Sequence, residues 1–342
     1  MVEVGILSIA TYIPSQFISG QEIAERAGIP PEIVEEKMGI KRKPVPGKED
    51  HTCEMGIRAA KKAIEKAGID PLEIDLVLYI GEEYKEYPLW TAGIKLQEEV
   101  GARNAWAFDV AQRCGTTIMA LKVAKNMMMA DPSVNTVLLA GGYRNGDFID
   151  YKNKRTRFMY NLSAGGGAIL LQKGLNRNVI METEIITDGS FSEDVVVVAG
   201  GTKNPISKDN LHLYQLDVLD PQGMKERLEQ KSMANFLKVI RESLRKSGYS
   251  EKEIGYVAML HMKKSAHQYV LKELGLSEKD SIYLEDYGHI GQMDQILSLE
   301  LAEEAGKLQD GTMVVLVSAG IGYAWGATTI QWGKGTENGR QT

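Results

Sequence analysis

Cys114 lies where a short apolar strand ends and a helical pattern begins, in the segment Phe-Asp-Val-Ala-Gln-Arg-Cys-Gly-Thr-Thr-Ile-Met that starts at Phe108. The N-terminus of a helix offers unpaired N–H groups and the positive end of the helix dipole, and both favour a thiolate over a thiol. A lone cysteine is otherwise most often a small apolar side chain. The position therefore predicts a nucleophile that could carry an acyl group, provided that basic partners lie nearby.

The partners of such a cysteine would come from five histidines, which are His51, His212, His261, His267 and His289. His261 ends an apolar strand, and His289 lies in a turn bounded by glycines that leads into a helix. Functional residues concentrate at strand ends and turns of this kind. We therefore expect His261 and His289 to lie in a common site, and we expect the other three to be solvated or structural.

Short apolar runs alternate with helical patterns along the chain, which indicates an α/β fold with buried strands flanked by helices. The predicted strands begin at Leu76, Ala105, Thr136, Ala168, Tyr256, Ser281 and Met313. The predicted helices cover residues 54–67, 116–129 and 224–247, and a glycine follows the first and the last of them.

The two parts of the chain repeat one pattern. The first part contains a strand, then Cys114, then a helix, then Val-Leu-Leu-Ala-Gly-Gly. The second part contains a strand, then His289, then a helix, then Val-Leu-Val-Ser-Ala-Gly. Chance alternation in an α/β chain would also produce such a repeat. A duplication predicts one half over residues 1–173 and another over 174–342, with Cys114 and His289 facing each other across the centre.

Composition narrows the class of protein. The 342 residues are 43% hydrophobic, and the net charge of −6 argues against nonspecific binding of nucleic acid. Two cysteines without a C-x-x-C spacing indicate neither a disulfide framework nor a zinc site, so we expect a reducing, cytoplasmic location. We expect no signal peptide and no membrane span, because the first residues are typical of a strand and no apolar run reaches 18 residues.

The segment around Cys114, the strand-end His261 and the turn at His289 together resemble the thiolase superfamily, and ketoacyl synthase III most closely. Hydroxymethylglutaryl-CoA synthase is similar at a greater distance. Further matches are Gly-Ile-Lys-Arg-Lys from Gly39, Ser-Ala-Gly-Gly-Gly-Ala from Ser163 and Ala-Gly-Ile-Gly-Tyr-Ala-Trp-Gly from Ala319. The resemblance covers nearly the whole chain.

This resemblance implies a homodimeric enzyme with a thiolase-like, five-layered αβαβα fold built from two duplicated halves. Its cysteine would take an acyl group from acyl-CoA or an acyl carrier protein. The acyl-enzyme would then condense with a malonyl thioester, with loss of carbon dioxide, to give a β-ketoacyl thioester. The chemistry implies no metal and no cofactor beyond the thioester itself.

The resemblance also implies the site residues. Cys114 and His261 match the family, whereas His289 stands where the synthase III branch has asparagine. Two neutral imidazoles would then donate hydrogen bonds to the thioester oxygen of the extender. The oxyanion hole would combine the N–H groups of Cys114 and Ile321, and Ile321 replaces a family glycine. We therefore expect a displaced loop or an unusual acyl group there.

Glu83 falls where hydroxymethylglutaryl-CoA synthases have a general base, which suggests an alternative condensation or acyl transfer without decarboxylation. Side chains of an extended segment alternate, so at most one of Glu82 and Glu83 is expected to enter the site. Both could instead be solvated charges. A further alternative, which the Ile321 replacement suggests, is a subunit that binds acyl thioesters without catalysis.

Two basic clusters could bind the carrier of the thioester, either the phosphates of CoA or an acidic carrier protein. From these clusters we expect Lys37, Arg42, Arg155 and Arg157 to contact the carrier, with solvated side chains as the alternative. Tyr87 lies before Pro88, where the family places a dimer contact that limits the acyl pocket. It is predicted to contact the acyl group, although simple packing would also explain it.

Overall fold

Buried valine, leucine and isoleucine side chains form the strands of a central sheet in the computed structural model, which describes residues 2–334. The strands are β1 (Val4–Tyr12), β2 (Gln16–Ser19), β3 (Arg42–Val45), β4 (Leu76–Tyr79), β5 (Trp106–Asp109), β6 (Thr136–Tyr143), β7 (Gly165–Lys173), β8 (Arg177–Thr187), β9 (Val195–Val197), β10 (Leu216–Val218), β11 (Ile254–Met259), β12 (Met313–Gly320) and β13 (Ala324–Lys334). The α-helices are α1 (Gly20–Ala27), α2 (Thr52–Ala67), α3 (Ala92–Val100), α4 (Thr116–Ala130), α5 (Pro221–Lys246), α6 (Lys264–Glu273) and α7 (Asp294–Glu304).

Nine strands form one sheet in the order β11-β12-β13-β8-β1-β7-β6-β4-β5. β4 is parallel to β5 and β6, β11 is parallel to β12, and the other neighbours are antiparallel. The two ends of the sheet therefore repeat one arrangement on either side of the pair β1 and β8, which meet at Gly5 and Val179. The predicted boundary at 173/174 falls in the connection between β7 and β8, and the division into two duplicated halves stays a prediction.

Helices α4 and α7 lie between the two ends of the sheet. α4 contacts β6 on one side and β13 on the other, while α7 contacts β1 and β11. α2 and α3 cover the outer face of β4 to β7, and α5 with α6 covers the outer face of β8 and β11 to β13. The thiolase-like αβαβα fold expected from the sequence is confirmed.

Most of the predicted elements are present within a few residues of their expected bounds. The exception is the strand predicted at Ser281, where only a single bridge to Val257 forms. Just beyond this bridge, Tyr283 donates a hydrogen bond from its hydroxyl to Met262 O at 2.8 Å. The segment then continues into the turn that carries His289.

Helix α2 packs closely on the sheet because glycines meet at the contact. A Cβ atom on Gly56 of α2 would lie 2.6 Å from the Cα of Gly141 in β6. The neighbouring Gly166 of β7 has no room for a side chain either, since its Cβ would lie 2.2 Å from Met55 O. The atoms on both sides of the contact belong to the backbone, so no change of side-chain rotamer could make room for an added methyl group.

The substitution Gly56→Ala is expected to lower the free energy of unfolding by about 1–3 kcal/mol, because the added methyl group meets backbone. This cost exceeds the gain in helix propensity of up to about 1 kcal/mol. Urea denaturation followed by circular dichroism measures the change. Gly189→Ala is the control, since its Cβ would point into open space, and equal stability of Gly56→Ala and wild type would contradict the packing argument.

Candidate active site

A tight turn before α4 holds Cys114. The backbone of Arg113 has a φ of 51°, a left-handed conformation that costs a residue with a side chain about 1–2 kcal/mol. Thr116 compensates by accepting a hydrogen bond from Gln112 N at 2.7 Å and donating to Arg113 O at 2.6 Å. Ser318 of β12 donates to Cys114 O at 2.6 Å. Cys114 is therefore attached both to α4 and to the opposite end of the sheet.

His289 contacts the cysteine directly. Its Nε2 lies 3.1 Å from Cys114 Sγ, although the two residues are 175 positions apart in the chain. Gly288 has a φ of 62°, and a Cβ there would lie 2.6 Å from Asn161 O. His289 N donates to that same oxygen at 2.8 Å, and His289 O accepts from Ser163 N at 2.9 Å. The structure thus brings together Cys114 and His289 as the sequence pattern predicts.

Asp294, the first residue of α7, lies on the other side of the His289 ring. Its Oδ2 is 2.5 Å from His289 Nδ1, and its side chain is fully buried. The same carboxylate accepts hydrogen bonds from His261 N and Ile290 N, both at 2.7 Å. Sequence reasoning missed Asp294. The available signal was an acidic residue at the start of the helix that follows His289.

His261 adjoins this group but has other partners. Its Nδ1 accepts from Asn161 Nδ2 at 2.9 Å, and its Nε2 donates to Gly39 O at 2.9 Å. Burial lowers the pKa of His261 to about 4, so the ring is neutral. Both ring nitrogens of His261 thus have protein partners in this structure, and the expected donation from His261 and His289 to a thioester oxygen stays a prediction.

The electrostatics of Cys114 and His289 are coupled. Burial raises the pKa of the Cys114 thiol, and the charge and hydrogen bond of His289 oppose this increase. Burial also disfavours a charged His289, but Asp294 and the cysteine together raise the pKa of His289 well above its ordinary value. The buried carboxylate thus favours a charged imidazole at position 289 over the neutral one expected from the sequence, and the role of His289 toward a thioester stays a prediction.

Glu82, rather than Glu83, is the carboxylate that is buried close enough to affect Cys114 and His289. The Glu82 side chain is 3% exposed and the Glu83 side chain is 65% exposed. Burial raises the pKa of Glu82, although Arg113 and a hydrogen bond from Asn145 Nδ2 at 2.7 Å oppose the shift. Glu83 forms an ion pair with Arg113 at the surface. The extended segment directs the two side chains to opposite faces, so only Glu82 is buried. Glu83 also lines a surface pocket with Glu82, and its role as a general base stays a prediction.

The end of β12 approaches Cys114 at Gly320. A Cβ there would lie 3.1 Å from Cys114 N and 2.8 Å from Gln112 O, which explains why glycine occupies this position. Ile321 follows and packs against the central hydrophobic core. Its N–H as the second donor of an oxyanion hole stays a prediction.

A pocket of about 420 Å³ opens near the segment 154–161. Its walls include three of the predicted carrier-binding residues, Lys37, Arg155 and Arg157, together with the apolar side chains of Ile33 and Phe158. Within residues 2–334, the buried Nε of Arg157 has no hydrogen-bond partner. The pocket therefore combines positive charge at its edge with an apolar wall.

Arg42 and the neighbouring Lys43 do not line this pocket. Arg42 donates from Nε to Asp286 at 3.0 Å on the surface, whereas Arg155 lines the pocket and also pairs with Asp217. Lys43 is buried and donates to the carbonyl oxygens of Tyr160 and Leu162. Burial lowers the pKa of Lys43 to about 7.

Tyr87 lies at the mouth of a second pocket, of about 440 Å³, which is lined in part by Tyr79, Glu82 and Trp90. Its ring makes an edge contact with Trp90, with centroids 5.6 Å apart, and most of the side chain is exposed. Its role toward an acyl group stays a prediction.

Within residues 2–334, no group of three or more His, Cys, Asp or Glu side chains is arranged to hold a metal ion, and no helix is long and apolar enough to cross a membrane.

Comparison with known families gives a consistent result. Residues 108–189 match the family model of 3-oxoacyl-(acyl-carrier-protein) synthase III, and residues 244–332 match the model of its C-terminal region. Together the two matches cover half of the chain. The β-ketoacyl-(acyl-carrier-protein) synthase III of Syntrophomonas wolfei is 27% identical over 97% of this chain and 98% of its own. The Coxiella burnetii enzyme of the same name is 26% identical over 95% and 98%.

Solved structures share the fold. The 3-oxoacyl-(acyl-carrier-protein) synthase III of Aquifex aeolicus superposes with a TM-score of 0.83 at 19% identity, covering 97% of this chain and 100% of that one. A priming β-ketosynthase of a polyketide pathway gives 0.83 at 20% identity, covering 98% and 97%.

The fold, together with the regions that match the family models, identifies the protein as a thiolase-like condensing acyltransferase. The chain belongs to the 3-oxoacyl-(acyl-carrier-protein) synthase III family.

The substitution Glu82→Gln is expected to speed alkylation of Cys114 by iodoacetamide roughly three-fold or more at neutral pH, because a nearby negative charge disfavours the thiolate. Peptide mass spectrometry identifies the labelled cysteine and its rate. Glu83→Gln is the matched control and should leave the rate unchanged. A larger effect from Glu83→Gln than from Glu82→Gln would contradict the placement of the two carboxylates.

Proposed function

We propose that this enzyme transfers an acyl group from an acyl thioester to Cys114 and condenses it with a malonyl thioester. Carbon dioxide leaves in the second step, and the product is a β-ketoacyl thioester. The observation that supports this proposal most strongly is the buried contact between Cys114 Sγ and His289 Nε2 at 3.1 Å. A nucleophile within hydrogen-bond reach of a base is the requirement for covalent acyl transfer.

In the first step the sulfur of Cys114 attacks the thioester carbonyl, and the carbon–sulfur bond to the carrier breaks. In the second step the malonyl carboxylate leaves as carbon dioxide, and its electron pair forms an enolate that attacks the acyl carbonyl. A positioned N–H donor lowers the energy of an enolate oxygen in a site that excludes water. His289 provides such a donor beside the sulfur.

The carrier of the thioester is proposed to enter through the basic pocket. The phosphates of CoA, or of a phosphopantetheine arm, suit Lys37, Arg155 and Arg157, and the apolar wall suits the arm itself. The unpartnered Nε of Arg157 supports a ligand at this place.

We also propose a homodimer in which the exposed Tyr87 contacts the partner, and a reducing, cytoplasmic location in which Cys114 stays a free thiol. The proposed steps need no cofactor, because the thioesters supply both the electrophile and the leaving groups. The alternative, condensation without decarboxylation, was predicted with Glu83 as the general base. Glu83 is exposed, and the names of the homologues favour the decarboxylating branch. We assign Glu82 to tuning the ionisation of Cys114.

Intact-mass spectrometry with a series of acyl-CoA and acyl-carrier-protein donors tests the first step. Wild type should gain the mass of one acyl group, and Cys114→Ala should gain none. Cys53 provides an internal control, because it is buried and burial raises its thiol pKa. An acyl group that persists on Cys114→Ala, or absence of an adduct with every donor, would exclude the proposed nucleophile.

The substitution Arg157→Ala is expected to raise the KM for the acyl donor about ten-fold, as the loss of one charge-assisted hydrogen bond predicts. The kcat should change little, because this arginine lies in the pocket rather than beside Cys114. Steady-state kinetics with one donor measures both constants. Arg42→Ala removes an arginine that pairs with Asp286, and an equal rise in KM for this control would argue against the pocket.

A further inference from the structure

The Asp294 carboxylate holds one side of the His289 ring while Cys114 Sγ contacts the other. Asp294 Oδ2 lies 2.5 Å from Nδ1, and Nε2 lies 3.1 Å from the sulfur. We infer that Asp294 is a positioning residue that makes Cys114 and His289 a thiolate–imidazolium pair. His289 then acts as a proton donor in acylation and as a charged hydrogen-bond donor in condensation. The inference rests on the proposed function and deepens it.

The carboxylate determines which nitrogen of His289 keeps its proton. A carboxylate accepts but does not donate, so Nδ1 facing Asp294 carries a hydrogen. When His289 is neutral, its Nε2 is therefore unprotonated and can accept the proton of the Cys114 thiol. When His289 is charged, both nitrogens carry hydrogens and Nε2 can donate to substrate. A neutral imidazole that donates from Nε2 is the form that Asp294 disfavours.

The position of Asp294 is itself strongly determined. Oδ1 accepts from Ile290 N, and Oδ2 accepts from His261 N while it contacts His289 Nδ1. These backbone donors compensate a fully buried carboxylate, and the imidazolium supplies the opposite charge. His261 cannot replace His289, because Asn161 and Gly39 occupy its two nitrogens.

Other ionisable groups surround the pair from each neighbouring element. They are Glu82 after β4, Arg113 in the turn before α4, Tyr143 at the end of β6, His261 after β11 and Tyr323 in the turn between β12 and β13. Arg113 is paired with Glu82 and Glu83, and burial keeps the two tyrosines and His261 uncharged. Asp294 is therefore the carboxylate that stabilises the charge on His289 directly.

The protons balance over the cycle. The Cys114 thiolate attacks the donor carbonyl, the bond to the carrier sulfur breaks, and that sulfur takes the Nε2 proton of His289. His289 then regains one proton from water. Loss of carbon dioxide from the malonyl thioester leaves an enolate, whose oxygen accepts from Nε2–H while its carbon attacks the acyl carbonyl. The carbon–sulfur bond to Cys114 breaks and restores the thiolate beside the imidazolium.

The pH dependence of Cys114 alkylation by iodoacetamide tests the inference without any thioester. In Asp294→Asn the amide cannot stabilise the imidazolium, so the midpoint of the alkylation profile should rise by about one pH unit. This corresponds to an about ten-fold lower rate below the midpoint. His289→Gln should raise the midpoint to a similar extent, and the double variant should show no further shift, because the two residues act as one unit.

Asp75→Asn is the matched control. Asp75 also accepts two backbone hydrogen bonds, from Asn135 N at 2.7 Å and Thr136 N at 2.9 Å, but it lies before β4 at the opposite end of the strands. It should leave the midpoint unchanged even if it lowers stability. Circular dichroism and thermal unfolding establish that each variant folds. If Asp294→Asn does not fold, Asp294→Ser keeps an acceptor for Ile290 N and should show the same shift.

A wild-type midpoint in Asp294→Asn, or shifts that add in the double variant, would overturn the inference. Acylation from thioesters is measured separately on the same proteins. Normal acylation with an unchanged midpoint contradicts only the role of Asp294. The predicted midpoints without acylation by any donor would support the role of Asp294 toward His289 and Cys114 while overturning the proposed function.

Discussion

The contact between Cys114 Sγ and His289 Nε2 is the interaction on which the rest of the site depends. Each residue lies just before a helix of the central layer, Cys114 before α4 and His289 before α7. Those helices lie between the two ends of the sheet, so the contact forms only when both ends have folded onto the same layer. Local sequence cannot produce this geometry. The fold therefore brings Cys114 and His289 into contact.

The contact between Cys114 and His289 is buried, and burial has an energetic cost. A thiolate and an imidazolium both lose hydration when they are buried, so neither is stable there alone. The buried charges are compensated one after the other. The Asp294 carboxylate stabilises the positive charge of His289, and His289 in turn stabilises the negative charge of the Cys114 thiolate. Backbone N–H groups of His261 and Ile290 in turn satisfy the carboxylate. Reactivity of the sulfur thus depends on a chain of contacts that reaches well beyond the reacting atoms.

Much of this site could be predicted from the sequence. Cys114 follows β5 and precedes α4, and His289 lies in a glycine-bounded turn that precedes α7; such junctions are recognisable from residue pattern alone. The choice between Glu82 and Glu83 needed the register of an extended segment, which a one-residue error reverses. The partners of His261 were not predictable, because Gly39 and Asn161 are distant in the chain and contribute an oxygen and an amide without a motif. Asp294 lies five residues after His289, a spacing that no helical face would have suggested.

Cys114 and His289 are proposed to support a decarboxylating condensation. The most direct measurement is a single turnover in which acylated enzyme meets a malonyl thioester labelled in its free carboxylate, with carbon dioxide and thioester products followed together. Labelled carbon dioxide and β-ketoacyl thioester are expected to appear at the same rate and in equal amounts, and His289→Gln is expected to slow both. A β-ketoacyl product formed without labelled carbon dioxide, or carbon dioxide released without that product, would contradict this proposal.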